Sequence, residues 1–297
     1  MFKFFYLIFK SIKENYYIFQ KIVNLKNIKP KYLFYSENRT YQKYAYLLIK
    51  TLAKKSSKKV YYVSSDFDDK ILIPNVENIF IGNGLLMSIF FTIISAENIF
   101  LTLTDLDNHS IKKNNKVDNY VYFFHAPLST TKIYTSTAFD NYDTIFCNGD
   151  YHISEIRKRE SIKKIKQKKL VKTGYFYFDY LCDRINHNIK PIEILVAPSW
   201  NYKEKNFINE NLEQIIQSVL DKGHNVKFRP HPEHFKRSMS TLNDLRKKFN
   251  NKKFILDESF ENIKSMETAK CLITDNSGIA IEFVLLFKKP VLYFEDV

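Results

Sequence analysis

Glycine is scarce: 6 among 297 residues, against a usual share of about 7%. Glycine-rich phosphate loops go with it. Neither G-x-x-x-x-G-K-[ST] nor G-x-G-x-x-G occurs, and the nearest run, Gly82-Asn83-Gly84, has Met87 where the third Gly would stand. Any nucleotide must therefore be held another way. Cysteine is equally sparse, with Cys147, Cys182 and Cys271 isolated and no C-x-x-C pair. That excludes a disulfide framework or a structural zinc site, fits a reducing cytoplasm, and leaves three thiols to act as small apolar side chains. No apolar run reaches the ~20 residues of a membrane span. The short stretch Phe4–Phe9 is followed by no small-residue cleavage site, so no signal peptide is read. Acidic residues also fall short: 32 Asp+Glu face 46 Lys+Arg, for a net charge of +14.

Apolar material is plentiful. At 45% hydrophobic and 16% aromatic residues the chain has enough for substantial cores, and 297 residues suit two α/β domains. The positive balance favours an anionic partner such as a phosphorylated substrate, an acidic lipid or nucleic acid. Nucleic acid is not expected. The densest basic run, from Arg157-Lys158-Arg159 to Lys168-Lys169, lacks interleaved aromatics and reads as a solvated helix followed by a loop.

Residues 1–28 form an amphipathic pattern. At about 100° per residue, Phe5, Ile8, Phe9, Ile12, Tyr16, Phe19 and Val23 share one face. Lys3, Lys10, Lys13, Glu14, Gln20 and Lys21 gather opposite. Such a helix suits an anionic lipid surface, and it equally suits packing on the first domain; both readings stand.

Beyond it, β-rich apolar runs alternate with helical stretches. Strands are expected at 32–35, 60–64, 79–82, 99–103, 120–124, 144–147 and 170–173, with helices at 41–52, 85–96 and 152–165. After 186–191 the pattern restarts: strands at 192–196, 225–229, 253–256, 271–274 and 291–294, and helices at 209–222, 235–249, 260–269 and 277–287. Continuous apolar strands spaced by helices mean parallel sheets covered on both faces. The reading is two doubly wound Rossmann-like domains, 29–188 and 189–297, facing across a cleft at the carboxyl ends of their strands. The chain stops at Glu295-Asp296-Val297 directly after a strand and without closing helices, so either a shortened second domain or a fragment is expected.

Residues just after strands carry the chemistry in such a fold. Arg229-Pro230-His231-Pro232 leaves a strand between two prolines that stiffen the turn. A guanidinium grips phosphate oxygens bidentately, and the neighbouring imidazole can donate to the same group. Asp275-Asn276-Ser277-Gly278 leads into a helix whose first amides, with the Ser277 hydroxyl, make an anion site without a glycine-rich loop. Capping by Ser277 or Asp275 is the plainer account of the same residues. Glu282, one turn on, is placed to accept from a ribose hydroxyl. In the first domain His125 follows an apolar strand and is a candidate general base. His109, His152, His187, His224 and His234 are taken as structural, His234 least securely because it adjoins the Arg-Pro-His-Pro turn. The D-x-D pairs Asp105/Asp107 and Asp66/Asp68 are weak metal candidates without a histidine cluster. No G-x-S-x-G elbow is present for a serine hydrolase.

These residues resemble the CDP-glycerol glycerophosphotransferase family of bacterial envelope polymer enzymes. The resemblance runs through Tyr35-Ser36-Glu37, His125, Ala138-Phe139-Asp140, Cys147-Asn148-Gly149, Gly174 and Asp179. It continues through Ala197-Pro198-Ser199-Trp200, Arg229-Pro230-His231-Pro232, Thr274-Asp275-Asn276-Ser277 and Lys289-Pro290-Val291-Leu292-Tyr293. Three positions depart from it: Gly278 stands where Ser is common, Glu282 where Asp is, and Asn201 where Arg is. The resemblance implies a GT-B-like architecture and a CDP-polyol donor. With such a donor, the positive groups and a helix terminus make a metal unnecessary, and no cofactor is expected. The basic surface and amphipathic helix would keep a cytoplasmic enzyme at the membrane's inner face, near a lipid-linked or polysaccharide acceptor. In that scheme His125 and His231 are catalytic, while Arg229, Ser199, Asp275, Asn276, Ser277, Gly278 and Glu282 hold the donor. Two alternatives remain: a GT-B glycosyltransferase using a nucleotide-sugar for capsule or lipopolysaccharide, and an inactive membrane-associated binding protein.

Overall fold

The computed structural model describes residues 2–108, 111–200, 211–259, 261–275 and 277–294, with side chains from residue 13 onward. The chain divides into two compact units, Met1–Tyr180 and Leu181–Val297. Each is a parallel α/β sheet with helices, so the architecture is a pair of Rossmann-like units of GT-B-like type.

The first unit opens with α1 (Phe2–Ile28), then β1 (Tyr32–Ser36), α2 (Arg39–Lys55), β2 (Val60–Ser64) and β3 (Val76–Phe80). It continues with α3 (Leu85–Ile93), β4 (Ala96–Leu101), β5 (Val117–Phe123), β6 (Thr144–Cys147), α4 (Asp150–Lys163), β7 (Lys169–Lys172) and α5 (Phe176–Cys182). Its seven strands run in the order β3-β2-β1-β4-β5-β6-β7, all parallel, so chain direction reverses across the sheet between β1 and β4. Successive residues of a strand serve opposite faces. Leu33 and Tyr35 of β1, with Tyr120 and Tyr122 of β5, join one core with Phe90, Phe91 and Phe139. Phe34, Val121 and Phe123 join the other, with Ala45 and Ile49 of α2. Both faces are buried, which is why these strands read as unbroken apolar runs.

The second unit comprises β8 (Glu193–Val196), α6 (Leu212–Asp221), β9 (Asn225–Phe228), α7 (Pro232–Arg237), α8 (Met239–Lys248) and β10 (Phe254–Leu256). α9 (Ile263–Thr268), β11 (Ala269–Thr274), α10 (Gly278–Phe287) and β12 (Val291–Tyr293) complete it. The order β10-β9-β8-β11-β12 puts its own reversal between β8 and β11.

Two features differ from the sequence reading. The helix expected at 235–249 is broken in two at Ser238, whose amide closes α7 on the His234 carbonyl while its own carbonyl accepts from Leu242. The face of α1 that packs is also not the expected stripe. Ile22 and Leu25 are fully buried, with Ile18 against the same core, whereas Tyr16 is 61% and Phe19 38% exposed. At ~100° per residue the packed row lies about 120° around the helix from the Tyr16–Phe19–Val23 stripe. Every residue from Lys13 to Tyr17 is exposed, so among the described side chains of α1 the packing on the unit begins at Ile18. The side chains of Phe5, Ile8, Phe9 and Ile12 lie outside the described residues. Among the described residues no helix is long and apolar enough to cross a membrane.

Candidate active site

In the first unit His125 sits just past the carboxyl end of β5, beside the end of β4. Its loop is strapped down from several sides. Tyr175 donates its hydroxyl to the His125 carbonyl at 2.8 Å. Glu155 of α4 accepts from the Ser129 hydroxyl at 2.7 Å, and from both the amide and the hydroxyl of Thr130 at 2.6 Å. His152, fully buried, donates from Nε2 to the Leu128 carbonyl at 2.8 Å, while its Nδ1 accepts from the Asn148 amide at 3.2 Å. The structural role expected for His152 is thus specific: it fastens the His125 loop to the start of α4.

The His125 ring stands among tyrosines, with the Tyr41, Tyr44 and Tyr134 rings centred 5.7, 6.0 and 6.3 Å away. Burial pushes its pKa down to about 4, against the pull of the Thr102 carbonyl on the ring N–H. Nδ1 is buried with no hydrogen-bond partner. The proton therefore belongs on Nε2, towards Thr102, and the Nδ1 lone pair is the basic one.

In the second unit the loops that leave β8 and β11 meet across the reversal point, where open α/β sheets bind their ligands. Asp275 accepts from both the amide and the hydroxyl of Ser199, each at 2.7 Å. The Thr274 hydroxyl donates to the Ala197 carbonyl at 2.6 Å. Ser277 sits at the N-cap of α10 without a side-chain cap bond, so the capping expected of Ser277 or Asp275 is not made and Asp275 is turned to Ser199. Gly278 is the first residue of α10. Asn276 lies outside the described residues.

His231 is exposed at the head of α7, and its Nδ1 accepts from the Glu233 amide at 3.2 Å, which places the ring proton on Nε2. Behind it is His234, which was set aside in the sequence. It is 3% exposed, its ring packs 4.7 Å from Trp200, and its Nε2 lies 3.4 Å from the Ser199 carbonyl. Its proximity to the Arg-Pro-His-Pro turn was the one available signal.

Two expected donor contacts differ in the structure. The Arg229 guanidinium is turned into the unit, pairing with Asp257 at 2.7 Å and donating to the Ser259 hydroxyl at 3.0 Å. Asp257 also accepts from the Ser259 hydroxyl, from Ser265 and from the Ser259 amide, and these bonds with the Arg229 charge keep its carboxyl below the usual range despite burial. Arg229 thus anchors the turn that presents His231, where a bare phosphate fork was expected. Glu282 is 6% exposed and accepts from Asn262 at 3.2 Å, so it faces the interior of the unit and not an open ribose position.

The D-x-D pairs serve the fold. Asp66 and Asp68 both pair with Arg39, at 2.9 and 3.0 Å. Asp105 accepts from Thr135 and Thr137, and Asp107 from the Lys113 amide. No group of three or more His, Cys, Asp or Glu suited to a metal ion occurs among the described residues. The basic run is likewise partly spent: Arg159 forms a two-pronged pair with Asp140, and Arg157 pairs with Glu160.

The chain matches no family model and no curated protein. Solved structures do match in fold. The wall teichoic acid polymerase TagF aligns at a TM-score of 0.57 and 16% identity, over 90% of this chain and 71% of that one. The Staphylococcus aureus MnaA complex with UDP aligns at 0.62 and 13% identity, over 90% and 79%. A Methanocaldococcus jannaschii UDP-GlcNAc 2-epimerase bound to UDP-GlcNAc and UDP aligns at 0.61 and 14%, over 89% and 84%. Two Rossmann-like units with reversal-point loops define the class, and these neighbours share it: the fold is GT-B-like.

Proposed function

We propose that the protein is a transferase that moves a polyol phosphate from a CDP-activated donor to a hydroxyl of a lipid-linked or polysaccharide acceptor. The acceptor oxygen attacks the β-phosphorus, a new P–O bond forms, the bond to the bridging oxygen breaks, and CMP leaves with that oxygen. His125 takes the acceptor's proton on Nδ1. The observation that carries this reading is the state of His125: neutral, held by its loop at the carboxyl edge of the sheet, with the basic nitrogen turned to no other group. Any anionic group of a bound substrate would raise the pKa of this imidazole towards the working range of a general base.

In the second unit His231 donates from Nε2 to the diphosphate, joined by Ser277 and the first amides of α10 at Gly278. Asp275 and Ser199 hold their two loops in register, with Asn276 between Asp275 and Ser277 in the chain. Arg229 fixes the turn under His231, and Glu282 steadies α10 from inside. Donors aimed at the departing charge are each typically worth ~3 kcal/mol. The exposed Tyr16 and Phe19 of α1, with the basic residues of its sequence on the other side, suit an anionic membrane, which would keep the enzyme beside a lipid-linked acceptor on the cytoplasmic side.

The direct test incubates the protein and a lipid-linked acceptor with labelled CDP-glycerol, CDP-ribitol and UDP-N-acetylglucosamine. Transfer with release of CMP supports the reading, and His125→Ala and His231→Ala should each slow it at least ~100-fold. Transfer from the nucleotide-sugar alone would replace it with a glycosyltransferase. The fold likeness to enzymes of UDP-GlcNAc keeps that second reading in view. Failure to bind any of the three donors would leave a binding protein.

A further inference from the structure

Three neighbouring strands of the second sheet, β9, β8 and β11, send their loops to one edge. The loops after β8 and β11 are already joined, since Ser199 donates to Asp275 and Thr274 to Ala197. The loop after β9 carries Arg229-Pro230-His231 into α7, and from α7 one buried side chain reaches across to the loop after β8. That side chain is His234, a residue the proposed reaction leaves unused.

α7 has only six residues, and the His234 backbone closes it towards both ends. The amide donates to the His231 carbonyl at 2.9 Å, and the carbonyl accepts from the Ser238 amide at 2.8 Å. A shift of His234 therefore carries His231 with it. The side chain is 3% exposed, and its Nε2 donates to the Ser199 carbonyl at 3.4 Å. Its ring meets Trp200 edge to face, with centres 4.7 Å apart. Arg237 of the same helix stands 6.0 Å from the Trp200 ring centre and pairs with Glu233 at 3.2 Å. Burial holds the His234 pKa below its ordinary value against the pull of the Ser199 carbonyl, so the ring is neutral with its proton on Nε2. Nδ1 is buried with no hydrogen-bond partner, so among the described residues only one end of the ring is engaged.

We propose that His234 is a positioning residue: by donating from Nε2 to the Ser199 carbonyl, it pins the turn that presents His231 to the loops of Ser199 and Asp275. Groups on three loops then keep one spacing towards a nucleotide diphosphate. A site assembled from separate loops loses affinity when each must be ordered as the ligand arrives. The bearing on the nucleotide rests on its assignment to the second unit, while the link between the loops does not.

Gln and Met have the same length and only Gln can donate, so His234→Gln and His234→Met separate the hydrogen bond from the packing on Trp200. The Ser199 amide, which donates to Asp275, is the reporter. By hydrogen exchange on the full chain it should exchange at least about tenfold faster in His234→Met, and at the wild-type rate in His234→Gln. Calorimetry with CDP should show the Kd rising about tenfold in His234→Met and recovering in His234→Gln. In the transfer assay the KM for the CDP-polyol should follow that Kd, with the acceptor KM unchanged. Unchanged Ser199 exchange in His234→Met overturns the proposal. Equal acceleration in both variants also overturns it, because the role then belongs to the ring's packing. Acceleration spread over the whole second unit does the same, because it marks a general loss of stability. Local acceleration that Gln reverses, in a protein that binds no CDP, sustains the link between the loops and sinks the nucleotide assignment.

Discussion

At the scale of single residues, the most consequential number is the pKa of His125, near 4 against an ordinary value of about 6.5. Unfolding frees the ring to take a proton, so between those two values the unfolded chain binds more protons than the folded one. The stability contribution is complete above pH 6.5, falls as pH drops through the window, and is exhausted near 4. It amounts to about 3 kcal/mol. Burial lowers His152 and His234 in the same direction. The urea midpoint should therefore fall between pH 6.5 and 4.5, and fall less steeply in His125→Asn; parallel curves would remove His125 from the account. The Arg229–Asp257 pair gives a second expectation. Truncating Arg229→Ala leaves a buried carboxylate short of its counter-charge, which costs ~3 kcal/mol by chemical denaturation. That His125 and Ser199 lie just past strand ends was legible, because residues after parallel strands fall at one edge of their sheet. The inward turn of Arg229 and Glu282 was not, because side-chain direction depends on partners, Asp257 and Asn262, far away in the sequence.

Among the elements, the strap on the His125 loop does the positioning. Glu155 gathers three hydrogen bonds from Ser129 and Thr130. These bonds outweigh the effect of burial and hold its carboxyl below the usual range. Glu155→Ala should cost ~2 kcal/mol. It should also raise amide exchange across 126–130, with turnover falling as the base loses its fixed position. Unchanged exchange would assign the rigidity to His152 and Tyr175 alone. All twelve expected strands are present with ends shifted by a few residues, since buried β-branched and aromatic runs need no tertiary information to be recognised. The break at Ser238 escaped because the apolar spacing runs straight through it, and only the two overlapping cap bonds show where one helix stops.

For the molecule as a whole, the GT-B-like pairing of two sheets followed from the restart of the strand–helix pattern after 186–191. Which side of α1 meets the body did not follow, because two apolar rows share that helix and only packing chooses between them. Under the membrane reading, the protein should float with phosphatidylglycerol vesicles and lose that property in Tyr16→Glu/Phe19→Glu, which leaves Ile22 and Leu25 untouched. Equal flotation would discard the stripe as a lipid contact. Among its described side chains, α1 is held to the body from Ile18 to its end, while Lys13–Tyr17 stand in solvent. Its 27 residues make about 40 Å of rod. Because Ile22 and Leu25 lock that rod to the first unit's core, any surface that Tyr16 and Phe19 meet is held at a fixed spacing from the core.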